Sequence, residues 1–129
     1  MDRFVRLSYD ERRLYFVQTA EQMRLAPQII EKDFWVCWTL RELFSLPDIG
    51  SMLIFKGGTS LSKAYRLIER FSEDVDVSMD RAGLGFGDEA SDPEAVISGK
   101  ERRRRIDRLK EACQQKIVDE LRPMMIKTV

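Results

Sequence analysis

The spacing of apolar residues in the first third of the chain is helical. Ser8, followed three residues later by Glu11, has the pattern of a capping box and predicts a helix over about residues 9–25. Four residues form the loose apolar stripe expected on this helix: Leu14, Val17, Met23 and Leu25.

A second helix is predicted from Pro27 to about Ser45, because its apolar residues recur at helical spacing and Pro47 ends it. Trp35 and Trp38 lie on this helix. Aromatic side chains of this size on an apolar helix mostly bury their surface in a core, with stacking on a nucleic-acid base as the alternative. The first 46 residues are therefore predicted to be a helical lead-in.

Short apolar runs replace the helical pattern further along the chain. Met52–Phe55 and Val75–Met79 are predicted strands, separated by a Gly-Gly turn and a short helix over Ser60–Glu69. Residues 80–93 contain too much Gly and Asp for regular structure and are predicted to form a loop. The order strand, turn, helix, strand over residues 52–79 is the predicted centre of the fold.

A long helix is predicted to begin at Pro93 and to end near Leu121. Its expected apolar stripe consists of Ile106, Leu109, Cys113 and Ile117. The run Met124–Val129 has the composition of a strand that is just beginning. The sequence thus predicts an α+β fold, a small mixed sheet flanked by helices, in one domain over residues 1–129 that is incomplete at its C-terminus.

The composition of the chain excludes several kinds of functional site. The 129 residues include 22 basic and 22 acidic ones, so no overall field attracts nucleic acid. No histidine is present, which removes imidazole bases and leaves carboxylate and Mg²⁺ chemistry open. Cys37 and Cys113 lack the spacing of a zinc site or a disulfide framework. Without a signal peptide or an apolar run of membrane-spanning length, the protein is expected in the cytoplasm.

The Gly-Gly turn is the first candidate functional feature. Gly57 and Gly58 let the backbone approach a polyanion closely, and Thr59 and Ser60 supply hydroxyls where the short helix is predicted to begin. Helix N-termini point N–H groups outward and favour phosphate. The motif therefore predicts a triphosphate cradle.

Asp74 and Asp76 are the second feature. They alternate with Val75 and Val77, so a strand would place both carboxylates on one face, with roots about 7 Å apart. Carboxylate oxygens are the ligands that Mg²⁺ prefers. Alone, each motif is more often a plain turn or an exposed strand, but their order along the chain favours a Mg²⁺ site beside a nucleotide.

Together these segments resemble a known signature. Phe55–Tyr65 and Arg70–Val77 are similar to the Gly-Gly/Ser and Asp-x-Asp motifs of the DNA polymerase β-like nucleotidyltransferases. More narrowly, they resemble the AbiEii/AbiGii toxin family, as does the upstream run Glu31–Phe44. The resemblance covers about residues 27–80. It implies transfer of a nucleoside monophosphate from a nucleoside triphosphate to an acceptor such as tRNA, within a toxin-antitoxin or phage-defence system that includes a cognate antitoxin.

The resemblance also implies roles for individual residues. Asp74 and Asp76 would hold the Mg²⁺ cofactor and, with Ser60, would be the catalytic residues. The implied nucleotide-binding residues are Gly57, Gly58, Thr59, Ser60 and Lys63, with Lys56 a lesser candidate. The family pattern also includes a third carboxylate on a later strand and a downstream Lys and Asp, which this sequence does not place. After Val118, only Asp119 and Glu120 are acidic.

Two questions stay open at the level of sequence. The run Arg102–Arg105 is interpreted either as a salt-bridged surface with Glu101 and Asp107 or as a contact for RNA or triphosphate phosphates. Because the third carboxylate is not placed, the alternative to an enzyme is a non-catalytic module that binds a nucleotide or a protein partner.

Overall fold

The computed structural model describes residues 1–57 and 74–128. Its helices and strands are α1 (Asp2–Val5), α2 (Tyr9–Met23), α3 (Pro27–Ser45), β1 (Leu53–Lys56), β2 (Asp76–Met79), α4 (Gly99–Lys116) and α5 (Arg122–Thr128). The α+β class predicted from the sequence is confirmed. Two compact units are present: Met1–Arg41 with the described part of Lys56–Asp76, and Glu42–Phe55 with the described part of Val77–Val129.

The first unit is built on α1, α2 and α3. The predicted capping box is confirmed: the Ser8 hydroxyl accepts from the Glu11 N–H, and the Glu11 carboxylate accepts from the Ser8 N–H at 2.8 Å. The buried residues of α2 are Phe16 and Ala20, whereas Leu14 is 65% exposed. The predicted stripe of α2 was therefore wrong, because Phe16 and Ala20, one helical turn apart, form the face that packs.

Aromatic side chains fill the core of this unit. The Phe4 ring lies 4.7 Å from the Phe34 ring and 5.4 Å from the Phe16 ring, between centroids. Trp38 is buried and meets Trp35 edge to face at 5.8 Å. These tryptophans pack as the sequence predicted, and such ring pairs add about 0.5–1.5 kcal/mol beyond burial of their area.

The second unit has a smaller core formed by Leu46, Ile49 and Leu53. Ile49 follows Asp48, whose φ of 60° is unusual for a residue other than glycine. The Ile49 N–H donates to the Pro47 carbonyl at 2.6 Å, which closes a tight turn between α3 and β1. A 3₁₀ turn over Ile49–Met52 then leads into β1.

The two strands form an antiparallel sheet with the order β1-β2. The Asp80 N–H donates to the Met52 carbonyl at 2.7 Å, so the end of β2 lies beside the start of β1. In this register Lys56 lies opposite Asp76. β1 lies one residue later than the predicted strand Met52–Phe55, whereas β2 begins one residue later than the predicted strand Val75–Met79 and ends at the same residue.

Two predictions in the C-terminal part of the chain were wrong. The long helix does not begin at Pro93: α4 begins at Gly99, and the Ser98 hydroxyl accepts from the Glu101 N–H at 3.2 Å as its N-cap. Met124–Thr128, part of the run Met124–Val129 that was predicted to begin a strand, lies in helix α5, which follows a π turn at Ile117–Leu121. The π turn ends just before Pro123, which has no N–H and so cannot donate an α-helical hydrogen bond.

Three further predictions concern a short helix, the Gly-rich loop and membrane-spanning segments. The predicted helix Ser60–Glu69 lies outside the described residues. Residues 80–93 are a loop as predicted, apart from a short 3₁₀ turn at Glu89–Ser91. Among the described helices, none is both long and apolar enough to cross a membrane.

Candidate active site

Gly57 follows directly on β1 and faces the first residue of β2. Its φ is +75°, a conformation that residues with a side chain rarely adopt. A Cβ placed on Gly57 would clash with the Asp76 carboxylate oxygen Oδ2 and would lie 3.0 Å from the Asp76 Cβ and Cγ. The glycine therefore provides the space in which the Asp76 carboxylate lies against the backbone.

The other described candidates lie close to this pair in sequence. Lys56 is the last residue of β1 and is exposed. Asp74 precedes β2, and along the segment the exposed Asp74 and Asp76 alternate with the half-buried Val75 and Val77. This alternation is the one that a period of two predicts, although only Asp76 belongs to the strand itself.

The remaining predicted site residues are Gly58, Thr59, Ser60 and Lys63, and they lie outside the described residues. Their roles stay predictions. The structure brings together three of the candidates along one sheet end: Lys56, Gly57 and Asp76.

The donor set near Gly57 suits a hard divalent cation. Within residues 1–57 and 74–128, no group of three or more His, Cys, Asp or Glu side chains is placed to hold a metal ion. Mg²⁺ commonly binds through one or two carboxylates and takes its other oxygens from water and substrate phosphates. Asp74 and Asp76, both exposed carboxylates, fit that requirement.

The arginine run lies at the start of α4, and most of it contacts protein. Arg105 is 15% exposed; its guanidinium donates to the Glu89 carbonyl at 3.2 Å, to the Asp92 carbonyl at 2.8 Å and to the Glu101 carboxylate at 3.1 Å. Arg102 donates to the Pro93 carbonyl at 3.0 Å. These two side chains hold the end of the Gly-rich loop onto α4.

Ion pairs add to these contacts. We call the group that makes them the loop anchor: Arg81, Asp92, Glu101, Arg102 and Arg105. The Arg81 guanidinium donates to the Asp92 carboxylate at 2.6 Å. The pKa of Asp92 is lowered by the Glu94 N–H and then by Arg81. The pKa of Glu101 is lowered by Arg104 and then by Arg105. The salt-bridged interpretation of the run is thus confirmed for Arg104 and Arg105 with Glu101, although Asp107 does not take part.

Sequence reasoning marked the arginine run but not its role as a loop anchor. Contacts between Arg105 and carbonyls 13 and 16 residues away depend on how the loop folds back. A backbone carbonyl is present at every position, so the sequence carries no signal for such a partner. Only the Glu101 pairs, at helical spacing, could be read from the sequence.

We expect Arg105→Ala to destabilise the protein by about 1–3 kcal/mol, because three hydrogen bonds are lost and two loop carbonyls lose their donor. Arg103→Ala is the matched control, since Arg103 is exposed and makes no hydrogen bond or ion pair within the described residues. Urea unfolding followed by circular dichroism measures both. Equal midpoints for the two variants would contradict the anchor.

Comparison with protein families shows the family of the chain. The family model described as nucleotidyl transferase AbiEii toxin, type IV TA system, matches residues 38–128. The chain belongs to the AbiEii family. No curated protein and no solved structure gives a significant match.

The AbiEii match differs in extent from the resemblance seen in the sequence. It begins at Trp38, so Glu31–Cys37 lie before it, and it continues past residue 80 through the Gly-rich loop, α4 and all of α5. The loop anchor is therefore part of the AbiEii domain, together with Gly57, Asp74 and Asp76. The family is one of nucleotidyl transferase toxins of type IV toxin-antitoxin systems.

Proposed function

We propose that this AbiEii protein transfers a nucleoside monophosphate from a nucleoside triphosphate to a hydroxyl group of an RNA acceptor such as tRNA. The observation that carries the proposal is the Asp76 carboxylate lying against Gly57, at a sheet end of a nucleotidyl transferase domain. A cognate antitoxin would accompany the protein, and the reaction would take place in the cytoplasm, where RNA acceptors and triphosphates are present.

Each part of the site has a role in this proposal. Asp74 and Asp76 hold Mg²⁺, which when bound neutralises charge on the phosphates. Gly57 leaves room for the Asp76 carboxylate, and its backbone forms the nucleotide cradle together with Gly58, Thr59, Ser60 and Lys63. Lys56, at the end of β1, adds a positive charge at the same sheet end.

The reaction follows from this arrangement. The acceptor hydroxyl oxygen forms a bond to the α-phosphorus, the bond between that phosphorus and the bridging oxygen breaks, pyrophosphate leaves, and the hydroxyl proton passes to solvent. Transfers of this kind depend on positioning and on electrostatic stabilisation of the phosphates rather than on a covalent protein intermediate. The glycine cradle would position the triphosphate, and Mg²⁺ held by the two carboxylates would supply the positive charge.

The test is incubation of the chain with each of the four α-labelled nucleoside triphosphates, Mg²⁺ and total tRNA, followed by gel electrophoresis. The proposal expects label in RNA with at least one triphosphate, together with release of pyrophosphate. Binding of a triphosphate in the presence of Mg²⁺ without transfer would favour a non-catalytic module instead. If the chain neither binds a triphosphate nor transfers label, both the enzyme and the non-catalytic module are contradicted.

A further inference from the structure

The exposed side of α4 carries more basic residues than take part in ion pairs or hydrogen bonds within the described residues. Lys100–Lys110 contains seven basic and two acidic residues, in a chain whose basic and acidic residues are equal in number. Arg102 and Arg105 belong to the loop anchor and donate to loop carbonyls, although Arg102 is exposed. The remaining basic residues are Lys100, Arg103, Arg104, Arg108 and Lys110, which we call the α4 basic face.

Helical spacing places this face on one side of α4. Lys100, Arg104 and Arg108 are successive residues of an i, i+4 row, and Arg103 and Lys110 lie two turns apart beside it. All five are exposed, and Arg104 keeps 61% of its side-chain surface while pairing with Glu101. Within the described residues, Lys100, Arg103, Arg108 and Lys110 make no ion pair.

Local helix energetics do not explain this placement. Positive charge in the first turn, where Lys100 lies, opposes the helix dipole, and like charges at i, i+3 or i, i+4 repel. Asp107 and Glu111 lie on the same side at helical spacing from Arg103 and Arg108 and offset part of this charge, although neither forms an ion pair within the described residues. A polyanion with regularly spaced charges would relieve this repulsion, as the phosphate backbone of a nucleic acid does.

We propose that the α4 basic face binds the phosphate backbone of the RNA acceptor, with Lys100 and Arg103 as its principal contacts. This inference rests on the proposed function, because RNA is taken as the acceptor. The contacts are to phosphates, so they position RNA without reading its sequence. The loop anchor holds the start of α4 in place, since Arg102 and Arg105 are used for folding and leave their neighbours to the ligand.

The test measures RNA binding directly, without any transfer reaction. A fluorescein-labelled RNA hairpin is titrated with wild type and with Lys100→Ala/Arg103→Ala over a range of KCl concentrations, and fluorescence anisotropy is recorded. We expect the variant to bind about tenfold or more weakly at low salt, with the slope of log K against log salt smaller by about one to two. Arg3→Ala/Arg13→Ala is the control, because it also removes two exposed positive charges, and it should bind as wild type does.

Several results would overturn the inference. Wild type that binds no hairpin, or a Lys100→Ala/Arg103→Ala variant with wild-type affinity and salt slope, excludes the α4 basic face as an RNA site. Displacement of the hairpin by poly-L-glutamate at equal charge concentration would indicate an acidic protein ligand instead. Asp76→Asn separates the two proposals: hairpin binding kept while transfer is lost supports both, and hairpin binding without transfer in wild type leaves this inference standing while the proposed function fails.

Discussion

Asp76→Asn is expected to lower nucleotide transfer by about 10²–10³-fold or more, because it replaces a charged oxygen donor at the Gly57 cradle with a neutral amide. Stability should change by no more than about 0.5 kcal/mol, since Asp76 is exposed. The measurements are label transfer to tRNA and urea unfolding of the same preparation. A loss of transfer with unchanged stability separates a functional role from a structural one.

Asp88→Asn is the matched control for this substitution. Asp88 is exposed, and although it precedes the Glu89–Ser91 turn, its side chain makes no capping hydrogen bond. The two variants make the same chemical change at two exposed aspartates. Equal transfer by Asp76→Asn and Asp88→Asn would contradict a role for Asp76 in the active site.

Gly57→Ala is expected to impair both folding and transfer. Its φ of +75° costs a residue with a Cβ about 1–2 kcal/mol, and the new methyl group would displace the Asp76 carboxylate. Gly85→Ala is the control because Gly85 has a φ of +84° and a Cβ placed on it would meet no atom within 4 Å. Gly85→Ala should therefore lose stability through backbone strain alone and keep transfer.

The difference between these glycine variants reports the contact with Asp76. Adding Asp76→Ala to Gly57→Ala should restore part of the lost stability, because the clashing carboxylate is gone, while transfer stays absent. Urea unfolding of the single and double variants gives the coupling. If Gly57→Ala and Gly85→Ala lose equal stability and both keep transfer, the cradle as described is wrong.

Helix boundaries with local signals were predictable from the sequence. The capping box of Ser8 and Glu11, and the prolines that flank α3, act within a few residues and gave α2 and α3 nearly as they are. The start of α4 carried a competing pair of signals, Pro93 and Ser98. Ser98 followed by Glu101 is also a capping pattern, and its hydrogen bond to the helix start is the one that forms.

Packing partners were not predictable in the same way. Leu14 and Phe16 are both apolar residues of α2, and the sequence does not say that Phe16 meets Phe4 and Phe34 while Leu14 faces solvent. Likewise, a short apolar run such as Met124–Ile126 suits a strand or a helix, and its continuation from the π turn decides for the helix. Tertiary contacts made these choices.

The candidate site was predictable from the sequence in part. Alternation predicted that Asp74 and Asp76 would share their exposure, and the glycine predicted a backbone without a side chain in the way. The sequence did not show that the space above Gly57 belongs to the Asp76 carboxylate, because that contact joins two strands about twenty residues apart. The antiparallel register of β1 and β2 creates it.

The most direct test of the central claim is Mn²⁺ binding, measured by electron paramagnetic resonance with a non-hydrolysable nucleoside triphosphate present. Mn²⁺ takes the same oxygen ligands as Mg²⁺ and is visible in the spectrum. We predict that wild type and Asp88→Asn bind Mn²⁺ and the nucleotide together, and that Asp76→Asn binds the ion at least about tenfold more weakly. Equal Mn²⁺ affinity in Asp76→Asn and wild type would contradict the assignment of Asp76 as a metal ligand.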